Sequence, residues 1–411
     1  MSTDLTAPEP TVPDLAVPDL AAQSVAIGPF PPAVFAVDAL RELPATVSRV
    51  AGADPQARVN VLVVTDRGLR GTPLIANVAG VLAGSGLGVE VFAEVHPNPT
   101  TDDLDAGGRA ARALGDGAVI VAVGGGSALD AAKGIALSAP NTVPGTELSW
   151  GRADLHPALP IVAMPTTSGT GAEVNDFGVI TDVADRRKVY VGGPSCLARA
   201  VLLDPRLTLS LPPGPTAASG IDCLTHAIES FTSIRANAWA DGLDLQVVRL
   251  VAGNLRRAVA APDDLVARSA LLLAAHTAGQ AMSTTGLGIV HGIGHPLGAR
   301  HDIPHGNALA VVLGACLRFN EPVRLARFAR LAEPLGVHAG GTSLERNAGA
   351  AIAAVEELVA DVRLAVPLSD YGVGAADLPA IVADALADAV MANTPRPPTA
   401  TDVHTILEGV L

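Results

Sequence analysis

The chain has 411 residues, beyond the usual span of a single hydrophobic core, which points to two domains sharing a cleft. Its 27 basic and 41 acidic residues leave a formal charge of −14 with no run of Lys or Arg to offset it, so nucleic acid and anionic membrane surfaces are excluded as partners. Apolar residues make up 49% and aromatic ones 3%, so the core must be built from Ala, Val, Leu and Ile, a composition that suits helices packed on a sheet.

Residues 1–24 are rich in Pro, Asp and Ala and repeat VPDL at Val12–Leu15 and Val17–Leu20. Proline at that density opposes both helix and central strand, so a disordered extension is predicted, either without function or serving as a docking tail. It lacks the basic start and apolar run of a secretory signal, and no stretch of about 18 apolar residues reads as a membrane span. Cys196, Cys223 and Cys316 are too few and too scattered for a disulfide framework or a thiolate zinc site. A soluble, cytoplasmic protein with reduced thiols is expected.

From Val59 onward, short apolar runs alternate with Ala-rich helical stretches. Predicted strands cover Val59–Asp66, Val89–Val95 and Ala118–Ser127, each separated by room for a crossover helix. Pro160–Gly171 reads as a strand entering a loop, Phe177–Asp182 and Lys188–Gly193 as a hairpin, and Val201–Pro205 as a further strand. Such alternation specifies a parallel sheet covered on both faces. After Pro212, Pro213 and Pro215, helical periodicity continues to Leu411, with breaks predicted at Pro262, Pro304, Pro322, Pro334 and Pro367. The reading is an α/β domain with a parallel sheet over residues 25–207 and an all-helical domain over 208–411.

GGGSALDAAK, Gly124–Lys133, follows a buried strand and opens a helix. Glycines let the backbone approach a pyrophosphate, whose charge then faces the free amides of the helix start. The spacing is not GxGxxG, and alone such a turn reads equally as purely structural. Asp66, ending the first strand, can accept hydrogen bonds from a ribose and repel a 2′-phosphate, which favours NAD over NADP; a turn or cap role is its alternative. Arg67 and Arg70 nearby argue the other way on the 2′-phosphate.

IDCLTHAIES, Ile221–Ser230, sets Asp222 and His226 four apart, on one helical face. VHGIGHPLGARHDIPHG, Val290–Gly306, adds His291, His295, His301 and His305, so five of the ten histidines fall in these two segments. One carboxylate with several imidazoles and no thiolate set suits a catalytic divalent metal with open positions, Fe(II) or Zn(II), better than a structural zinc cage. Spacing alone does not choose the ligating histidines.

With these motifs and MPTTSGTGAEV, Met164–Val174, the chain resembles the iron-containing, or group III, alcohol dehydrogenase family over residues 25–411. The resemblance implies that residues 25–207 are a dinucleotide-binding domain and 208–411 a metal-binding, catalytic one, with catalysis in the cleft between them, NAD as cofactor with NADP less favoured, and one divalent metal, Fe(II) ahead of Zn(II). It makes Asp222, His226, His291 and His305 the metal ligands, with His295 beside the metal as a proton relay. For the cofactor it implies Gly124, Gly125, Gly126 and Ser127 at the pyrophosphate and Asp66 at the adenosine ribose. Asp130, Thr166, Thr167, Lys188 and Asn98 complete that set. It further implies a homodimer or larger assembly.

The chain departs from the family where EVT followed by Pro is usual, having Glu173, Val174, Asn175 and Asp176. Asn175 and Asp176 are therefore candidate substrate contacts, with Asp176 either orienting a hydroxylated or cationic substrate or facing solvent. Met282 is a candidate apolar wall or an ordinary core residue. The expected function is hydride transfer between NAD(H) and a small primary alcohol or aldehyde. The rivals are a metal-free reductase of the maleylacetate reductase type, an NAD-using lyase of the dehydroquinate synthase type, and a non-catalytic binding protein.

Overall fold

The computed structural model describes residues 23–52, 59–185, 187–338 and 340–411. All but the last two residues of the predicted extension lie outside these. Six strands form one sheet, in chain order β1 (Ala33–Phe35), β2 (Asn60–Asp66), β3 (Gly88–Val95), β4 (Val119–Gly124), β5 (Ile161–Pro165) and β8 (Ala200–Leu203). Their spatial order is β1-β8-β5-β4-β2-β3, and every pairing is parallel.

The β-branched runs of β2 and β4 are buried on both faces, which is why the sequence shows continuous apolar stretches there. Val61, Val63, Val119 and Val121 pack beneath α1 (Leu43–Ala51) and α2 (Pro73–Gly84). Leu62, Val64, Ile120 and Ala122 pack beneath α3 (Thr101–Ala113) and α4 (Gly126–Ser138). Each fully buried Val or Leu contributes roughly 1.5–3 kcal/mol, so these two layers hold the carboxyl ends of the strands rigidly in place. Strand β3 lies on one side of β2 and β4 on the other, so the sheet changes direction there and the ends of β2 and β4 flank a crevice.

The antiparallel hairpin of β6 (Phe177–Asp182) and β7 (Arg187–Gly192) covers α4. Gly178, Ile180 and Val191 are buried on that side, so Phe177, Val179, Thr181, Lys188 and Tyr190 alternate onto the other face. Beyond β8 the chain is helical: α5 (Pro213–Thr232), α6 (Ala238–Ala260), α7 (Leu265–Thr285), α8 (Ile289–His301), α9 (His305–Leu331), α10 (Leu344–Asp361), α11 (Leu378–Ala387) and α12 (Ala400–Glu408). These share one apolar core. Among the described residues no helix is long and apolar enough to cross a membrane.

Three expectations change. The strand predicted over Ala118–Ser127 stops at Gly124, whose φ of +154° turns the chain and whose missing Cβ would otherwise meet Ala128 Cβ at 2.5 Å; α4 then opens at Gly126. Strand β1 went unpredicted because three residues after Pro31 and Pro32 carry no alternation. Pro322 kinks α9 at Arg324 instead of ending it, since helix resumes on the far side; Pro304 caps α9, and Pro262, Pro334 and Pro367 lie between helical elements.

Candidate active site

Helix α5 presents Asp222 and His226 on one face, and α8 brings His291 opposite them, with ligand atoms mutually within 4.8 Å. Asp222 Oδ1 lies 3.3 Å from His226 Nε2, 3.6 Å from His291 Nε2 and 3.6 Å from His305 Nε2. His305, at the first turn of α9, forms the open rim of the group, its side chain 38% exposed. His301 is the last residue of α8.

Asp222 Oδ1 and His291 Nε2 are buried without a hydrogen-bond partner, an expense that a bound cation would remove. Burial pushes the His226 imidazole down to about 4, so its ring nitrogen stays a neutral donor atom. His226 Nδ1 meets the Gly169 carbonyl at 3.3 Å. Burial also pulls on His291, but Glu229 and Asp222 outweigh it and raise the ring to about 9. Glu229 is the partner that spacing missed: Oε2 meets His291 Nδ1 at 2.5 Å while Oε1 accepts the Val290 N–H at 2.7 Å. Such outer partners fix the tautomer and aim of a ligating imidazole. The donor set fits one divalent cation.

His295, one turn further along α8, sits edge-on to His291 and stacks on His305 at 5.7 Å. Its Nδ1 meets Asp388 Oδ2 at 2.7 Å, and Asp388 Oδ1 accepts the Val390 N–H at 3.0 Å. Asp388 lies 93 residues from His295, so no local signal in the sequence joins them.

The crevice between β2 and β4 holds the nucleotide candidates. Asp66 Oδ1 accepts the Gly68 and Leu69 N–H groups at 2.8 and 3.1 Å, and Oδ2 faces Gly124. Burial raises its pKa, partly offset by those two amides. Arg67 and Arg70 both turn to Glu94, Arg70 at 2.6 Å. Gly125 caps α4, and Thr167 lies against it; Thr166 N–H bonds the Gly124 carbonyl at 2.9 Å. Ser127 Oγ donates to the Pro97 carbonyl. Lys188 Nζ reaches Asn98 Oδ1 at 3.3 Å and Thr181 Oγ1 at 3.0 Å, which brings two predicted residues together from 90 positions apart. Burial lowers the Lys188 ammonium to about 8, against the pull of Asp130 and Asp302.

Asp130 accepts the Val179 N–H at 3.0 Å and pairs with the buried Lys133 at 3.3 Å. Asn175 likewise turns to Lys133, its Oδ1 at 2.5 Å from Nζ. Asp176 Oδ1 accepts the Trp150 indole N–H at 3.3 Å. Met282 is half-buried on α7.

The segment Thr166–Glu173 links the glycine turn to the Asp/His group. Thr167 and Thr170 sit against Gly125 and Gly126, while Gly169 approaches Asp222 and His226. Gly171, at φ +59°, lies so close to α7 that a Cβ would meet Ala275 O at 2.7 Å and Gly279 Cα at 2.8 Å. Glu173 Oε1 then meets His276 Nδ1 at 3.0 Å, both buried.

A crevice at a strand-order switch, together with a buried Asp/His/His group able to hold a metal ion, is the arrangement of a nucleotide-linked enzyme with a metal site. The model of the iron-containing alcohol dehydrogenase domain matches residues 31–205, and that of the Fe-containing alcohol dehydrogenase C-terminal domain matches residues 216–411. Lactaldehyde reductase of Escherichia coli K12 is 36% identical over 344 residues, covering 83% of this chain and 89% of its own. The 1,3-propanediol dehydrogenase of Citrobacter freundii is 38% identical over 339 residues, covering 82% and 87%. A crystal structure of a 1,3-propanediol oxidoreductase superposes with a TM-score of 0.88 at 32% identity, covering 95% of this chain and all of that one. The chain belongs to the iron-containing alcohol dehydrogenase family, and its activity is that of an NAD-linked alcohol/aldehyde oxidoreductase.

Proposed function

We propose that this chain interconverts small primary alcohols and aldehydes using NAD(H) in preference to NADP(H), with Fe(II) held by Asp222, His226, His291 and His305. The carrying observation is the pair of orphaned buried atoms, Asp222 Oδ1 and His291 Nε2, inside a set of three imidazoles. When bound there, a divalent cation supplies Lewis acidity that polarises an aldehyde carbonyl and lowers the pKa of an alcohol. Glu229 keeps His291 aimed at the centre. Asp388 takes His295 Nδ1, which leaves Nε2 as the atom that receives a proton during alcohol oxidation and returns it during reduction. Asp66 holds the adenosine ribose, and the pyrophosphate lies over Gly124–Ser127 at the start of α4.

We place the half-buried outer face of the hairpin along the route between the two sites. Thr181 and Lys188 sit at its nucleotide end beside Asn98, while β7 packs against α8 and the Asp388 charge reaches Tyr190. Phe177, Val179 and Tyr190 thus form an apolar wall at the substrate end, and Met282 supplies a further apolar candidate from α7. The pairing of Arg67 and Arg70 with Glu94 supports NAD over NADP. Three buried free thiols support a reducing, cytoplasmic setting, and we place the working form as a homodimer or larger.

The filled donor set stands against a metal-free reductase, and net NADH formation separates a dehydrogenase from an NAD-recycling lyase. The test is anaerobic purification, elemental analysis and a spectrophotometric panel of alcohols and aldehydes with both nicotinamides. One divalent metal per chain with turnover on primary alcohols is expected. A metal-free protein with undiminished turnover would overturn the proposal.

A further inference from the structure

The chain holds two tryptophans. Trp239 is stacked on Phe30, centroids 5.6 Å apart, whereas Trp150 is 55% exposed. Trp150 N–H bonds the Tyr190 carbonyl at 2.8 Å, Gly192 N–H bonds the Leu148 carbonyl at 3.2 Å, and Ser149 bridges Val191 antiparallel. Residues 148–150 therefore extend the free edge of β7. Trp150 thus stands in register with Tyr190 across that edge. Asp176 Oδ1 accepts the indole N–H, and Gly192 between them has no side chain to intervene. Phe177 meets Tyr190 edge-on at 5.5 Å. In a chain that is 3% aromatic, Phe177, Tyr190 and Trp150 come from neighbouring registers of this hairpin and its added edge, and β7 packs against the helix that carries His291 and His295.

We infer that Trp150 is a specificity-determining residue: fixed by Asp176 at the outer rim of the alcohol cleft, it selects alcohols and aldehydes whose alkyl or aryl tail is long enough to reach it. The inference rests on the hydride-transfer reading above. An indole left largely in water gains when an apolar tail covers it, and each covered methylene adds to that gain. Asp176, where the chain departs from its family's pattern, thereby acts through Trp150 and not on the substrate.

The test measures kcat/KM with NAD for linear primary alcohols from ethanol to 1-octanol, benzyl alcohol and glycerol, in wild type, Trp150→Ala, Trp150→Phe and Asp176→Ala. Trp150→Ala should lose about 10-fold or more on 1-octanol through KM, while ethanol stays within about 2-fold. Trp150→Phe should retain most of the long-chain preference, and Asp176→Ala should lose part of it. In a Trp239→Phe background, 1-octanol added with NADH should shift Trp150 emission to the blue. Equal losses at every chain length, a selective loss on glycerol in Asp176→Ala, or unmoved emission would overturn the inference. The emission reads the rim without turnover, so a chain inert to every alcohol would sink the proposed function and still leave the rim decided by the shift.

Discussion

Replacing Glu229 with Gln should loosen the metal without altering a ligand. The carboxylate accepts two hydrogen bonds in a dry site, from the Val290 N–H at 2.7 Å and from His291 Nδ1 at 2.5 Å. A Gln offers one acceptor, and its amide N–H₂ meets a donor at the other position. One buried donor is left unpaired, which costs about 1–3 kcal/mol, toward the upper end because the lost bond involves a charged acceptor. Where His291 bears the loss, its ring is free to change tautomer or swing, and metal affinity should fall about 10–100-fold, or roughly 1.4–2.7 kcal/mol. Chelator competition with Zn(II), and with Fe(II) in the absence of oxygen, measures this directly. Urea unfolding of the metal-free variant separates it from general destabilisation. Unchanged metal affinity with a destabilised apo-protein would show Glu229 to be merely a cap for the start of α8, and would refute the reasoning.

Asp66→Asn removes the charge that opposes a 2′-phosphate, so the NAD-to-NADP ratio of kcat/KM should fall about 10-fold or more; an unchanged ratio places discrimination elsewhere. Lys188 titrates near 8 because of burial, and its charged form suits the cofactor phosphates. Phosphate contact raises the bound-state pKa, so NADH affinity should be full below about 8 and weaken above it by up to about 10-fold per unit. Titration by NADH fluorescence from about pH 6.5 to 9.5 should show this slope, and Lys188→Ala should flatten it. Gly171→Ala combines a positive φ with a Cβ 2.7 Å from the Ala275 carbonyl, so it should cost roughly 2–4 kcal/mol of stability, visible as a lowered Tm. A wild-type Tm would mean that the segment at Gly171 is free to move away from α7.

The sheet was legible because β2, β4 and β5 are buried on both faces and so appear as unbroken Val/Ile/Ala runs. Strand β1 was not, since its three residues gain their strand geometry from pairing with β8, a contact far away in sequence. Asp222, His226 and His291 were legible as a group because chemistry-bearing residues crowd two short segments of a mostly apolar half. Their supports were harder: Glu229 lay inside a quoted motif without a visible task, and Asp388 reaches His295 only through the packing of α11 on α8. Asn175 and Asp176 were singled out by departure from a pattern. Which way their side chains point depends on Lys133 and Trp150, whose positions no local spacing reveals.

The most direct test of metal-dependent hydride transfer follows deuterium from a 1,1-dideuterated primary alcohol to C4 of the nicotinamide, in metal-loaded and metal-stripped enzyme and in Asp222→Asn. The account predicts label in NADH from the loaded wild type, loss of transfer on stripping, recovery on adding back Fe(II) or Zn(II), and almost none in Asp222→Asn. Label transferred at the full rate by stripped enzyme would contradict it.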